Sequence, residues 1–150
     1  GLVHRDFIVR NLMPAGESVA VLDFQDAVRG PLAYDVLSLL EDAFVSWPQA
    51  RVDGWIDGYL RAARAAGLAL PETQAFRRDF ELIGVQRHLK VLGIFARLRH
   101  RDAKPRYLAD APRFLAYLDR ALPRHPELAP LHALLAGRVF PRLAPLELPA

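Results

Sequence analysis

The stretch from Gly1 to Asp26 restricts the fold more than any other part of the 150-residue chain. It sets His4, Asp6 and Asn11 across a polar loop and returns with Asp23 behind a second apolar run. The apolar segments between them are too short for helices. Gly1-Leu2-Val3 enters the loop, Asn11-Leu12-Met13 leaves it, and Pro14-Ala15-Gly16 turns the chain. Val19-Ala20-Val21-Leu22 then reads as a strand that ends at Asp23. A hairpin of this kind brings Asp6, Asn11 and Asp23 to one mouth.

Those residue types, so placed, suit phosphoryl transfer. That chemistry needs an acceptor hydroxyl held in line, a carboxylate to take its proton, and metal ions on the phosphates. Asp6 is the candidate base. Asn11 and Asp23 are candidate metal ligands, and their oxygen atoms match a hard cation such as Mg²⁺. His4 is read as shaping the loop by hydrogen bonds. Asp26 either supports the metal residue from behind or touches substrate. Arg5 is a structural ion-pair partner or solvated. The competing reading is a surface loop whose Asp and Asn side chains cap turns.

After Gly30-Pro31 the pattern turns helical. Val36, Leu37, Leu40, Ala43 and Phe44 share a face over Ala33 to Val45. Asp35, near the start of that helix, is by default a cap or dipole partner. Glu41 and Asp42 meet a sugar hydroxyl or face water, and the second is the default for acidic residues. Pro48 breaks the chain. A second helix runs from Asp53 to Ala66, with Trp55 and Tyr59 assigned to core packing rather than to stacking on a sugar, and Gly67 ends it. The longest helix spans Thr73 to Arg99 with Phe76, Phe80, Ile83, Leu89, Leu92 and Phe95 along it. Arg87, His88 and Lys90 interrupt that band. Arg87 and His88 are candidate substrate contacts, against the alternatives of an ion pair for Arg87 and a satisfied core histidine for His88. Arg97, Arg99, His100 and Arg101 suit the helix C-terminus as solvated cations. Lys104 to Tyr107 is a connector. A fourth helix starts at Asp110 to Pro112 and buries Phe114, Leu115, Leu118 and Leu122. Pro123 stops it, and Pro126 opens a last helix to Val139.

The fold expected is therefore mainly α with a small β-hairpin, in a single domain. Catalytic and metal loops occupy residues 1–30, a helical subdomain 31–140, and an irregular Pro-rich tail 141–150. A hydrophobic content of 52% suits a packed globule and excludes a disordered chain. No apolar run is long enough to span a bilayer, and no membrane partner is expected. The absence of cysteine excludes disulfides and thiolate metal sites and agrees with a cytoplasmic location. The net charge of +3 comes from arginine in a chain whose only lysines are Lys90 and Lys104. No helix carries the regular basic stripe or aromatic platform of a nucleic-acid binder, so no nucleic-acid partner is expected.

His4-x-Asp6-x-x-x-x-Asn11 followed by Asp23-Phe24 resembles the signature of kinase-like enzymes. The version here is similar to the aminoglycoside phosphotransferase and choline kinase superfamily. Asp26-Ala27-Val28-Arg29-Gly30-Pro31-Leu32-Ala33-Tyr34-Asp35 runs almost directly into a helix, with no room for a peptide-docking activation segment. Gln25 stands where protein kinases have Gly, and Ile8 where they often have Lys. Within the superfamily, Leu22 to Ala27 with Gly30-Pro31 and Tyr34-Asp35, together with Phe80 to Leu98, resembles bacterial kinases of the anomeric hydroxyl of N-acetylmuramate and N-acetylglucosamine. The resemblance covers nearly the whole chain. It implies the C-terminal, helical lobe of a protein-kinase-like fold, use of ATP and Mg²⁺, a sugar acceptor from peptidoglycan recycling, and a bracing role for Asp35. It also implies that the N-terminal nucleotide-binding lobe lies outside this sequence and is a partner the site requires, so that the fragment alone is inactive. Aminoglycosides and choline remain alternative acceptors. The net basic charge, with Arg87 and Lys90 in mid-helix, speaks against a polycation. A non-catalytic helical binding domain is the alternative of another class.

Overall fold

A computed structural model describes residues 1–143 of the chain. They form two compact units, one from Gly1 to Ile83 and one from Gly84 onward.

The first unit opens with β1 (Leu2–Val3) and a 3-10 turn at Val9–Asn11. The hairpin β2 (Leu12–Ala15) and β3 (Ser18–Val21) follows, and then β4 (Val28–Arg29). β2 and β3 pair antiparallel from Leu12↔Val21 to Ala15↔Ser18, and β1 pairs antiparallel with β4 through Leu2↔Arg29 and Val3↔Val28. A two-residue turn joins β2 to β3. Its first residue, Gly16, takes φ 62°, a left-handed value that glycine adopts without penalty. The β1–β4 pair closes a loop that contains the whole His4-to-Asp26 stretch. The mainly helical fold with a small hairpin is thus the one observed.

Helices α1 (Ala33–Leu40), α2 (Gln49–Ala65) and the beginning of α3 (Thr73–His100) supply this unit's core. Ala33, Leu37 and Leu40 of α1, Val52, Ile56 and Leu60 of α2, and Phe76 and Phe80 of α3 are all buried and form one cluster. Their spacing of three or four residues keeps each set on one helix face. Burying a Leu, Ile or Phe side chain of this kind contributes about 1.5–3 kcal/mol. Arg77 of α3 braces α2 from the rim, with Nη1 at 3.0 Å from Asp53 Oδ1 and Nη2 at 2.7 Å from Asp57 Oδ1.

α1 is shorter than its sequence pattern suggested. It ends at Leu40 instead of Val45, because Glu41 leaves helical geometry with φ −118° and ψ 58°. The Asp42 carboxylate then accepts from the Ala43 N–H, a local bond that competes with continued helix. Glu41 and Asp42 do not face water as expected. They are 9% and 5% exposed, carried inward by this turn. α2 starts four residues earlier than the Asp53 expected, with Pro48 as its N-cap instead of a plain break. Proline is tolerated there because the first N–H groups of a helix have no intrahelical acceptor.

In the second unit the later residues of α3 pack with α4 (Ala111–Ala121) and α5 (Ala129–Arg138). Val85, Leu118, Leu122 and Leu135 form the buried cluster. Short 3-10 turns at Pro105–Asp110, Leu122–Arg124 and Pro126–Leu128 connect these helices. A helix, α6, covers Phe140–Leu143, where an irregular tail was expected from Pro141. The rest of that tail lies outside the described residues. Among the described residues no helix is long and apolar enough to cross a membrane.

Candidate active site

The loop between β1 and β2 owes its shape to one carboxylate. Asp35, in the first turn of α1, accepts the His4 N–H through Oδ2 at 2.7 Å and the Arg5 N–H through Oδ1 at 3.0 Å. Two adjacent N–H groups converge on one side chain only if the backbone turns sharply there. Arg5 does so, with φ 76°, a left-handed value that a non-glycine residue adopts at a cost of about 1–2 kcal/mol. Charge-assisted bonds to Asp35 offset that cost.

His4 locks the loop from its other side. Its Nε2 lies 2.8 Å from the Leu22 carbonyl oxygen, and its Nδ1 lies 3.3 Å from the Asp6 backbone nitrogen. The acceptor at Nε2 and the donor at Nδ1 assign the neutral tautomer with its proton on Nε2. The ring is 9% exposed and packs edge-on against Phe7, with centroids 5.9 Å apart. His4 therefore ties the loop to Leu22, the residue after β3. Arg5 is exposed, with Nη1 3.5 Å from the Asp26 carbonyl oxygen, so Asp26 meets the loop through its backbone while its own side chain faces solvent.

Asp6 is exposed, and Asn11 turns back onto it. Asn11 Nδ2 donates to the Asp6 carbonyl oxygen at 2.8 Å and to Asp6 Oδ2 at 3.1 Å. The amide is thereby oriented with its Oδ1 away from Asp6. The backbone N–H of Leu22 donates to the Asn11 carbonyl oxygen at 2.9 Å, extending the β2–β3 ladder by one step. Asn11 and Asp23 thus flank the same end of the hairpin. Asp23 also takes a left-handed backbone, with φ 61°, and Gln25 Nε2 donates to its Oδ1. An amide oxygen on Asn11 and a carboxylate on Asp23, both reachable from solvent, form a hard oxygen donor set that suits Mg²⁺ with water and phosphate oxygens in its remaining positions. The donors fit the ion that the sequence implied. Among the described residues there is no cluster of three His, Cys, Asp or Glu that would suggest a different metal.

A cavity of about 670 Å³ adjoins the loop in the same unit. Phe7 and Val9 form its loop wall, and Asp35, Trp47, Trp55 and Tyr59 line its helical side. Trp55 is 40% exposed and is not the core residue its spacing suggested; it packs edge-on against Trp47 with centroids 5.1 Å apart. The buried stripe of α2 runs through Val52, Ile56, Leu60 and Ala63, which leaves Trp55 off to one side. Tyr59 is half-buried, and burial, then the negative charge of Asp35, raises its phenol above the ordinary value. Trp47 lies in the connection between α1 and α2, outside any helix whose spacing could assign it a face.

Arg87 and His88 belong to the second unit. His88 is 1% exposed and packs between Phe114 and Tyr117, with centroids 5.5 and 4.9 Å away. Burial, then the positive charges of Arg87 and Arg120, push its imidazole down to about 3. This is the core histidine of the alternative reading. Arg87 is half-buried.

The Phosphotransferase enzyme family matches residues 1–77, the part that carries the whole constellation. The chain is 59% identical over 136 residues to an N-acetylmuramate/N-acetylglucosamine kinase of Pseudomonas putida, covering 90% of this chain and 40% of that protein. It is 58% identical to the Neisseria meningitidis protein of the same name, covering 91% and 41%, and 39% identical to that of Caulobacter vibrioides, covering 96% and 38%. The chain therefore spans about 40% of the length of these curated relatives. With the family match extending over more than half of the sequence and across every residue of the pinned loop, the chain belongs to the phosphotransferase enzyme family.

Proposed function

We propose that this chain is the C-terminal, catalytic lobe of an ATP- and Mg²⁺-dependent kinase that phosphorylates the anomeric hydroxyl of N-acetylmuramate and N-acetylglucosamine. The observation that carries the reading is the pinned loop. Asp35 and His4 hold it from two sides, and it presents an exposed Asp6 clamped by Asn11, with Asp23 at the same end of the hairpin. The names of the relatives, each matched over about nine-tenths of this chain, support the acceptor.

ATP with Mg²⁺ supplies the phosphoryl group and the charge neutralisation. The Asp6 carboxylate would accept the proton of the sugar hydroxyl as that oxygen bonds to the γ-phosphorus and the bond from phosphorus to the departing ADP breaks. Asn11 orients that carboxylate by donating to it, and its Oδ1 would hold the ion together with the Asp23 carboxylate. Gln25 fixes the Asp23 rotamer through its hydrogen bond. His4 and Asp35 contribute no proton; they hold the geometry, which matters because displacements of about 1 Å cost on the order of a hundredfold in rate. The nucleotide also needs a covering lobe, which we assign to a further part of the same protein. A role in recycling cell-wall sugars in the cytoplasm follows from that acceptor.

The test is coupled ADP release by the full-length protein with N-acetylmuramate, N-acetylglucosamine, kanamycin and choline as acceptors. Turnover with the amino sugars is expected, and Asp6→Asn is expected to lower it by about 10²–10⁴-fold. Turnover with only kanamycin or choline overturns the acceptor, and silence with all four overturns the kinase reading.

A further inference from the structure

Asp35 and His4 hold the loop at residues 4 to 6, but Asn11 sits at its other end. Asn11 belongs to the 3-10 turn Val9–Asn11, which contains no buried residue and has no side-chain cap. A single 3-10 turn has poor hydrogen-bond geometry and fixes its own shape weakly. The direction in which Asn11 reaches Asp6 therefore depends on what holds this turn from outside.

The middle residue of the turn, Arg10, supplies a contact. Its guanidinium carbon lies 3.4 Å from the centre of the Phe44 ring, a close cation–π stack. Among the described residues Arg10 makes no ion pair and no side-chain hydrogen bond, so the ring is what orders this side chain. Phe44 reaches Arg10 because α1 stops early. Continued to Val45, the helix would turn Phe44 onto the face of Leu37 and Leu40, seven and four residues back, which are buried in the core. The helix ends at Leu40 instead, and Phe44 comes to the surface at 43% exposure. The turn at Glu41 and Asp42 thus exchanges a core position for a contact with the loop.

We propose that Phe44 is a positioning residue for the phosphoryl transfer: stacked under Arg10, it fixes the 3-10 turn and with it the angle at which Asn11 meets Asp6. This rests on the kinase reading above, which assigns Asp6 and Asn11 their roles. Arg10 and Asn11 share a peptide bond, so a shift of the Arg10 backbone is carried directly to the amide that donates to Asp6 Oδ2. The ring acts on the aim of Asp6, and its loss is read in kcat and not in KM. An exposed cation–π stack is worth roughly two- to fivefold in an equilibrium. A displacement of about 1 Å at the reacting groups costs on the order of a hundredfold in rate. The expected effect lies between the two, at about tenfold.

The experiment uses the full-length protein as wild type, Phe44→Leu, Phe44→Tyr, Arg10→Met and the Phe44→Leu/Arg10→Met pair. It measures kcat and KM for N-acetylglucosamine, and amide hydrogen exchange in peptides from the loop and from α2 and α3. Phe44→Leu and Arg10→Met are each expected to lower kcat by about tenfold and to leave KM within about twofold. The double variant falls no further than either single one, because both remove the same contact. Phe44→Tyr keeps a ring and restores kcat. Exchange rises in the loop peptide of Phe44→Leu and not of Phe44→Tyr, with α2 and α3 unchanged. A kcat for Phe44→Leu within about twofold of wild type, a rise in KM alone, multiplying losses in the double variant, or faster exchange throughout α2 and α3 overturns the inference and leaves the kinase reading intact. A wild type that phosphorylates neither sugar overturns the kinase reading, and unchanged loop exchange in Phe44→Leu then overturns the stack as well.

Discussion

His88 makes a pH dependence that can be worked out from its surroundings. Its ring is enclosed by Phe114 and Tyr117 at 1% exposure, and its imidazole is held down to about 3 from an ordinary 6.5. The native state therefore keeps His88 neutral while the unfolded chain protonates it below 6.5. A group with a depressed folded pKa contributes stability that is present above its unfolded value and is lost as the pH falls. The loss here begins near 6.5 and continues toward 3. Each pH unit in that window costs about 1.4 kcal/mol, so moving from about pH 7.5 to about pH 5 removes about 2 kcal/mol. The perturbation is His88→Leu, which cannot take the proton. Urea denaturation followed by circular dichroism at both pH values measures the difference for each protein. His88→Leu is less stable than wild type near neutrality, because the ring contacts are gone, but it is expected to lose about 2 kcal/mol less on acidification. The two proteins differ only at position 88, so the difference between their losses isolates that side chain. Parallel loss in the two proteins would refute the reasoning, since it would mean that His88 takes its proton in the native state.

Asp35→Asn keeps the shape and removes the charge. Its amide offers one acceptor oxygen to two N–H donors and turns an NH₂ toward the other, so the loop around Arg5 loses its anchor. We expect a fall in kcat of about a hundredfold with little change in nucleotide affinity, and a loss of about 2 kcal/mol in urea; unchanged kcat would show that the loop holds itself. Arg77→Met removes both contacts to Asp53 and Asp57, whose side chains are nearly half exposed. A stability loss of about 1 kcal/mol is expected, shrinking in high salt, and its persistence in high salt would show that packing rather than charge is responsible.

The residues of the proposed site were legible because phosphoryl transfer would demand particular side chains at particular intervals. Hydrogen bonds join His4, Asp6 and Asn11 within the loop, and Leu22, the neighbour of Asp23, bonds to the His4 ring and to the Asn11 carbonyl. Helix faces were legible for the same reason, and Phe76, Phe80, Phe114 and Leu118 are buried where periodicity put them. Element ends were less so. Ala43 and Phe44 continue the apolar spacing of α1, yet the bond from Asp42 to the next N–H ends it, and no periodicity encodes that competition. Trp55 sits beside a buried stripe at helical spacing, and only the packed structure shows that Trp47 draws it out to a cavity rim. The left-handed backbones of Arg5 and Asp23 left no trace in the sequence, because neither residue type favours that conformation as glycine does.

Those two left-handed residues also set a conflict for anyone optimising the protein. A screen that scored only thermal resistance would favour glycine at positions 5 and 23, since each replacement relieves backbone strain of about 1 kcal/mol. At position 23 the gain would delete the carboxylate that we assign to the metal. At position 5 it would leave every side chain of the constellation in place and still loosen the peptide that feeds Asp6, because glycine is as comfortable in conformations that Asp35 cannot grip. If Asp6 is the base we propose, melting temperature and turnover would then move in opposite directions, and a lineage selected for robustness alone would drift toward a well-folded protein whose Asp6 loop is no longer held.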